Sequence, residues 1–145
     1  MSTFQNFEEI IAWQKARLLC RKVKILTEKP LFAKNFKLRD QILSSSGSMM
    51  DNIAEGFERQ GNKEFVQFLY ISKGSCGETR SQAYRALDYG YISQEECTEI
   101  LTDSLEISRI LHGLIESIRD SGHKGYKFKL FTLAMLLIAF SPLVH

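Results

Sequence analysis

The side chains here with obvious chemistry are three cysteines and three histidines, and their spacing argues against most of it. Cys20, Cys76 and Cys97 are odd in number, far apart and without a CxxC pair. All three fall at apolar positions of a helical repeat, which predicts buried free thiols in a reducing, cytoplasmic setting. His112 and Glu116 are one helical turn apart, but metal sites in helical bundles draw Glu-x-x-His pairs from two helices, and no Glu here is followed by His three residues on. HExxH, GxSxG and the dinucleotide glycine fingerprint are all missing. Gly74-Ser75-Cys76-Gly77 lacks the Gly-Lys-Ser/Thr ending of a phosphate loop, and no strand precedes it. The expectation is a chain without catalytic residues, metal or cofactor.

Positive charge is the other chemistry on offer. Between Ile10 and Leu26 there are five basic residues and no acidic one. Arg17, Arg21 and Lys24 repeat at i, i+4, i+7 on one helical face, and Lys15 and Lys22 share another. Like charges at this spacing repel mildly, so helix stability does not explain them. They form either an ordinary solvated face or a stripe of phosphate contacts.

The element carrying these cations is predicted to start at Asn6, with Glu9 completing a capping-box pattern. Ala12, Ala16, Leu19, Val23 and Leu26 form its inner face, with Trp13 and Cys20 at the margin. Ile11, Leu18 and Ile25 add a second apolar ridge at strict seven-residue spacing. A helix apolar on this much of its circumference either presents a wide face to one core or forms a seam against another subunit.

A link around Pro30 leads to a second helix over 38–60. Asn52, Glu55 and Arg59 share one of its faces. Gly61 is expected to supply the left-handed residue that ends it, and Asn62 to cap the third helix. So short a link makes the two helices neighbours. The third helix has a 4-3-4-3 seam of Phe65, Leu69, Ser72, Cys76, Thr79, Ala83 and Ala86. Gly74 and Gly77 each cost about 1 kcal/mol relative to Ala inside a helix, so they are expected to mark close approach to the Ser44–Ser48 region.

Ser93 and Glu96 form a further capping box before a fourth helix with a core face of Ile100, Ile107, Leu111, Leu114 and Ile118. Residues 95–125 carry 3 basic and 7 acidic side chains, so nucleic-acid contacts belong on the first three helices. From Leu130 to Phe140 the chain is almost continuously apolar behind Lys124, Lys127 and Lys129. That run is short of the ~20 residues of a spanning helix. It packs on the bundle or a neighbour, forms a loose appendage, or anchors at a membrane surface. Two prolines, 44% apolar residues and net charge +2 in 145 residues suit one all-α domain. The expected division is a four-helix bundle over residues 1–125 and an apolar tail over 126–145. The N-terminus shows no signal-peptide pattern.

Asn52-Ile-Ala-Glu-Gly56 followed by Arg59, then Lys63-Glu-Phe65, Phe68-Leu69 and Gly74-Ser75 before Glu78, resembles the four-helix bundle proteins known as 23S rRNA intervening-sequence proteins. Trp13-Gln14, Asp40-Gln41-Ile42 and Gly90-Tyr91-Ile92 extend the resemblance over about 7–124. It implies an up-down-up-down antiparallel bundle in which Asn52, Glu55, Gly56, Arg59, Gly74, Ser75 and Glu78 are structural. The family is similar in fold to the accessory protein of diversity-generating retroelements, a pentameric barrel that binds nucleic acid. The resemblance therefore implies a homo-oligomer, a pentamer, with RNA or DNA as a partner. Leu43 and Ser44 stand where relatives often carry an Arg pair, so any binding through that pair does not transfer. Met50 and Asp51 replace a frequent Pro and small residue.

The expected protein is a non-catalytic, self-assembling bundle that binds RNA or DNA through Lys15, Arg17, Arg21, Lys22 and Lys24 and associates through Ile11, Leu18 and Ile25. The alternative is a structural or protein-interaction oligomer without a nucleic-acid role. Membrane contact is expected at most through the tail.

Overall fold

The computed structural model describes residues 4–121; the apolar segment over 126–145 lies outside the described residues. Within them the chain is all-α, with no strand. A 3-10 turn, Phe7–Glu9, precedes α1 (Ile11–Thr27), α2 (Pro30–Lys34), α3 (Phe36–Glu58), α4 (Asn62–Asp88) and α5 (Gln94–Asp120). Four helices are long and α2 is a single short one.

The expected capping box at Asn6 does not form, because Asn6 makes no side-chain cap bond. The Gln5 N–H donates instead to the Glu9 carboxylate at 3.1 Å. Ile10 is extended (φ −75°, ψ 118°) and buried, and α1 begins after it. Burial of a large aliphatic side chain at the joint outweighs continuity of the helix.

The link after α1 is also more ordered than its proline suggested. Pro30 sits in the first turn of α2, where its missing N–H costs nothing, and Phe32 is fully buried. Asn35 then caps α3, accepting from the Leu38 N–H at 3.0 Å and donating to the Tyr91 hydroxyl at 3.1 Å. The second long helix therefore starts at Phe36 rather than Leu38 and ends at Glu58.

Between α3 and α4 the left-handed residue is Gln60 (φ 62°), not Gly61. Gly61 is the extended N-cap, and Asn62 is already helical. The link after α4 ends in a Schellman arrangement, with the Tyr91 N–H on the Ala86 carbonyl and the Gly90 N–H on the Leu87 carbonyl, both at 2.9 Å. Gly90 takes the left-handed position there (φ 74°).

The predicted seam of α4 is buried throughout. It meets the small residues of α3: Ser45 Oγ donates to Gln82 Oε1 and lies 2.8 Å from Thr79 Oγ1. Ser75 Oγ donates to Ser48 Oγ at 2.9 Å, and Ser72 Oγ to the Met49 carbonyl at 2.7 Å. Partners that descend along α4 as they ascend along α3 make this pair antiparallel. The glycines expected to admit the contact are elsewhere, however. A Cβ on Gly74 would meet nothing within 4 Å, and one on Gly77 only the Arg80 guanidinium at 3.9 Å. The close approach is at Gly56, where a Cβ would lie 2.5 Å from Phe68 Cβ and 3.0 Å from Phe65 Cδ2.

α1 packs on α3 and α5, and α4 on α3 and α5. One core unites them, with Phe32, Phe65, Leu19, Ile42, Met49, Leu69, Ile107 and Leu111 fully buried. On α5 it is Ile115 that is fully buried, while Leu114 packs at the edge.

Candidate nucleic-acid interface on the first helix

α1 presents three longitudinal strips to its surroundings. Ala12, Ala16, Leu19 and Val23 face the core. Lys15 and Lys22 face α5, where acidic residues at i, i+4, i+7 (Glu99, Asp103, Glu106) form a matching stripe. Lys15 Nζ lies 2.9 Å from Glu106, and Lys22 Nζ lies 2.7 Å from Asp103 and 3.5 Å from Glu99. Just beyond α1, Lys29 reaches Glu96 at 2.6 Å. The hydrogen bond to Asp103 raises the Lys22 ammonium pKa, and the bond from Lys29 lowers that of Glu96, aided by the Ser93 N–H. Partners rising on α1 and falling on α5 make this pair antiparallel too.

The third strip points away from the bundle. Arg17, Arg21 and Lys24 are exposed. Arg17 lies 5.8 Å over the Trp13 ring, so this half-buried aromatic, read from sequence as a margin of the core, also orients a cation. Lys24 has an exposed partner in Glu28 at 2.8 Å. Arg21 has no ion pair among the described residues and stands one turn from both Leu18 and Ile25. Leu18 and Ile25 are 54% and 67% exposed, while Ile11 is half-buried. The apolar ridge is thus turned outward beside the guanidinium strip. The five cations proposed from sequence divide into two held against the carboxylates of α5 and three facing outward, of which Lys24 is paired with Glu28. The signal for that split lay in the spacing of Glu99, Asp103 and Glu106.

The motif residues of α3 and α4 serve two purposes. Gly56 and Ser75 are buried in packing, and Asn52 Nδ2 donates to both the carbonyl and the hydroxyl of Ser48 at 2.8 Å. Arg59 pairs with Glu55 at 2.9 Å and lies 5.0 Å over Phe68. Gly74 and Glu78 are exposed. Nucleophilic chemistry finds little here. Desolvation pushes the Cys76 thiol up to about 11, and burial also raises Cys20 and Cys97. Cys20 Sγ donates to the Ser46 carbonyl at 3.0 Å. Among the described residues no group of three or more His, Cys, Asp or Glu side chains is placed to hold a metal ion, and no helix is long and apolar enough to cross a membrane.

The model of the 23S rRNA-intervening sequence protein family matches residues 8–113. The chain belongs to this family. A crystal structure of a protein with unknown function from the S23 ribosomal protein family of Bacteroides thetaiotaomicron is similar to it, at 27% identity and a TM-score of 0.67, over 73% of this chain and 96% of that one. No curated protein matches the chain. In this member of the intervening-sequence family, Leu43 packs against the core and Ser44 is exposed, so neither position carries a charge.

Proposed function

We propose that this chain is a non-catalytic, self-associating bundle that binds RNA or DNA through the outward cations of α1. The observation that carries the reading is the adjacency on one exposed surface of a bare apolar ridge, Leu18 and Ile25, and three outward cations, Arg17, Arg21 and Lys24. Large aliphatics exposed in a row mark an association surface. Repeated around a ring of subunits, a pentamer in this proposal, the cations form a positive belt despite a net charge of +2. The family's name ties it to 23S rRNA, which makes ribosomal RNA the first ligand to try. The up-down-up-down topology, the bundle over residues 1–125 with a separate tail over 126–145, and a cytoplasmic setting complete the proposal.

Phosphate contacts supply affinity without reading sequence, so binding is weakly selective and strongly salt-dependent. Fluorescence anisotropy with a 23S rRNA fragment and an unrelated duplex DNA, at about 50 and about 200 mM salt, tests this. Replacing Arg17, Arg21 and Lys24 by Gln is expected to weaken binding to both ligands and flatten the salt slope by about one unit per cation removed. A triple variant that binds like the parent overturns the assignment. A parent that binds neither ligand at low salt favours the second reading, an interaction module without nucleic acid. That reading draws on the pairing of Lys15, Lys22 and Lys29 with α5, which shows basic residues of this chain serving acidic protein surface.

A further inference from the structure

An antiparallel pairing of the α1 ridge with its own copy would set Arg17, Arg21 and Lys24 beside the same cations of a second chain, and like charges juxtaposed at an interface oppose association. A different face of the neighbouring copy, apolar and negatively charged, avoids that repulsion. The outer face of α4 has both properties. Tyr70 and Ile71 are 47% and 52% exposed, adjacent in sequence and one turn before Gly74, the Tyr70 hydroxyl accepting from Arg119 at 3.1 Å on the α5 side. Gly74 is exposed, and a Cβ there would meet nothing within 4 Å, so the face beside Ile71 is bare backbone.

The surroundings carry the charge. Glu64 and Glu78 are exposed on the Ile71 side of α4, with one exposed cation, Lys63, on the Tyr70 side. The bonds from Ser72 to Met49 and from Ser75 to Ser48 fix the register of α3 on α4, and that register sets exposed Asp51 level with Ile71 and exposed Glu55 near Gln67. Glu55 is already paired with Arg59, which leaves Asp51, Glu64 and Glu78 as carboxylates with no ion pair among the described residues. Opposite them stands Arg21, which with Arg17 makes the two α1 cations that have no ion pair among the described residues; Arg17 lies over the Trp13 ring, whereas Arg21 stands beside the ridge.

We infer that the occupant of this α4 face is the α1 ridge of a second copy of the chain, with Leu18 and Ile25 seated on Ile71, Tyr70 and the bare backbone at Gly74, and Arg21 facing Asp51 and Glu78. The inference rests on the self-association proposed above and specifies its geometry. Such contacts are head-to-tail, each copy offering one face and accepting with another, and they close into a ring when the rotation per subunit allows. Arg21 then belongs to the seam, and the belt proposed above keeps Arg17 and Lys24, which lie farther from the ridge on its outer edge. Gly74 and Glu78, two motif residues whose side of α4 contributes nothing to the core, are given a role by the same contact.

The experiment is mass determination by light scattering on the full chain at micromolar concentration, for Leu18→Glu, Ile71→Glu and their equimolar mixture. Each variant alone is expected as a monomer of 16.7 kDa. Mixed, they are expected to form a heterodimer of twice that mass, because each still carries the face that the other lacks. Gly74→Gln supplies a variant that cannot fail by misfolding of a crowded site: it has room in the monomer and raises helix propensity, yet fills the seam, and it is expected to be helical and monomeric. Charge exchange, Arg21→Glu with Glu78→Arg, is expected to restore part of the association that either change removes. An Ile71→Glu or Gly74→Gln protein with the parent's mass overturns the inference while leaving self-association intact, as does a mixture that stays monomeric. A parent that is itself monomeric overturns the self-association on which it rests.

Discussion

Single residues decide how closely α3 and α4 approach. A methyl group on Gly56 would sit 2.5 Å from the Cβ of Phe68, which belongs to the stem of that side chain and cannot rotate away. Gly56→Ala is therefore expected to cost about 1–3 kcal/mol by overpacking, read as a lowered urea midpoint. Gly77→Ala, at a position where a Cβ would meet only the flexible Arg80 guanidinium at 3.9 Å, is expected to be neutral or to stabilise by up to about 1 kcal/mol through helix propensity. The pair of measurements separates a glycine needed for space from one that is not. The thiols add a pH dependence. Burial raises the Cys76 pKa from 9.0 to about 11, so the folded chain keeps a proton that the unfolded chain has lost in this window. Stability is unaffected by this group below pH 9 and falls as pH rises toward 11. Denaturation across that range is expected to show a smaller decline for Cys76→Ala than for the parent.

At the scale of elements, α5 is held at its start by one carboxylate with two duties. Glu96 accepts from the Ser93 N–H at 2.8 Å to complete the capping box, and it receives Lys29 at 2.6 Å. Ser93→Ala is expected to cost about 1 kcal/mol, in the usual range for a lost N-cap. Because these partners lower the Glu96 pKa, its contribution is present above the ordinary value of 4.5 and is lost as pH falls through the depressed value. Glu96→Gln is expected to flatten stability on the acid side of a thermal-melt series and to change little on the alkaline side. The ladder from Lys15, Lys22 and Lys29 to Glu106, Asp103, Glu99 and Glu96 sets the register of α1 on α5 more than it adds net stability, since such partly exposed pairs are worth at most about 1 kcal/mol each.

For the whole molecule the deciding feature is which surface α1 leaves bare. The packing of α1 on α3 and α5 leaves Leu18 and Ile25 turned to solvent next to three cations. If the ridge is a seam, Leu18→Glu is expected to dissociate the assembly at micromolar concentration without loss of helicity, checked by light scattering alongside circular dichroism. Nucleic-acid affinity should fall with it, since a belt of charge needs the ring, whereas the Gln triple variant is expected to lose affinity with its mass unchanged apart from any share that Arg21 takes in the seam.

The sequence by itself determined the all-α class, the seam of α4, the capping box of α5 and the facing small residues of α3 and α4, because each rests on helical periodicity or on a cap read within four residues. It also carried the family, since the motifs lie in order along one chain. What escaped it depended on distance in space. Gly61 and Asn62 looked like stop and start signals, but the left-handed turn fell on Gln60, because where the two helices pack sets the turn residue. Gly74 and Gly77 were indistinguishable by composition from Gly56, and only the placement of Phe65 and Phe68 shows which of the three has no room. The five cations of α1 read as two basic faces, both offered for phosphate contacts, and tertiary structure gave the two faces different roles. A Coulomb interaction falls with distance, and only the fold brings the carboxylates of α5, more than eighty residues away in the chain, within 3 Å of Lys15 and Lys22 while leaving Arg17, Arg21 and Lys24 to the outside.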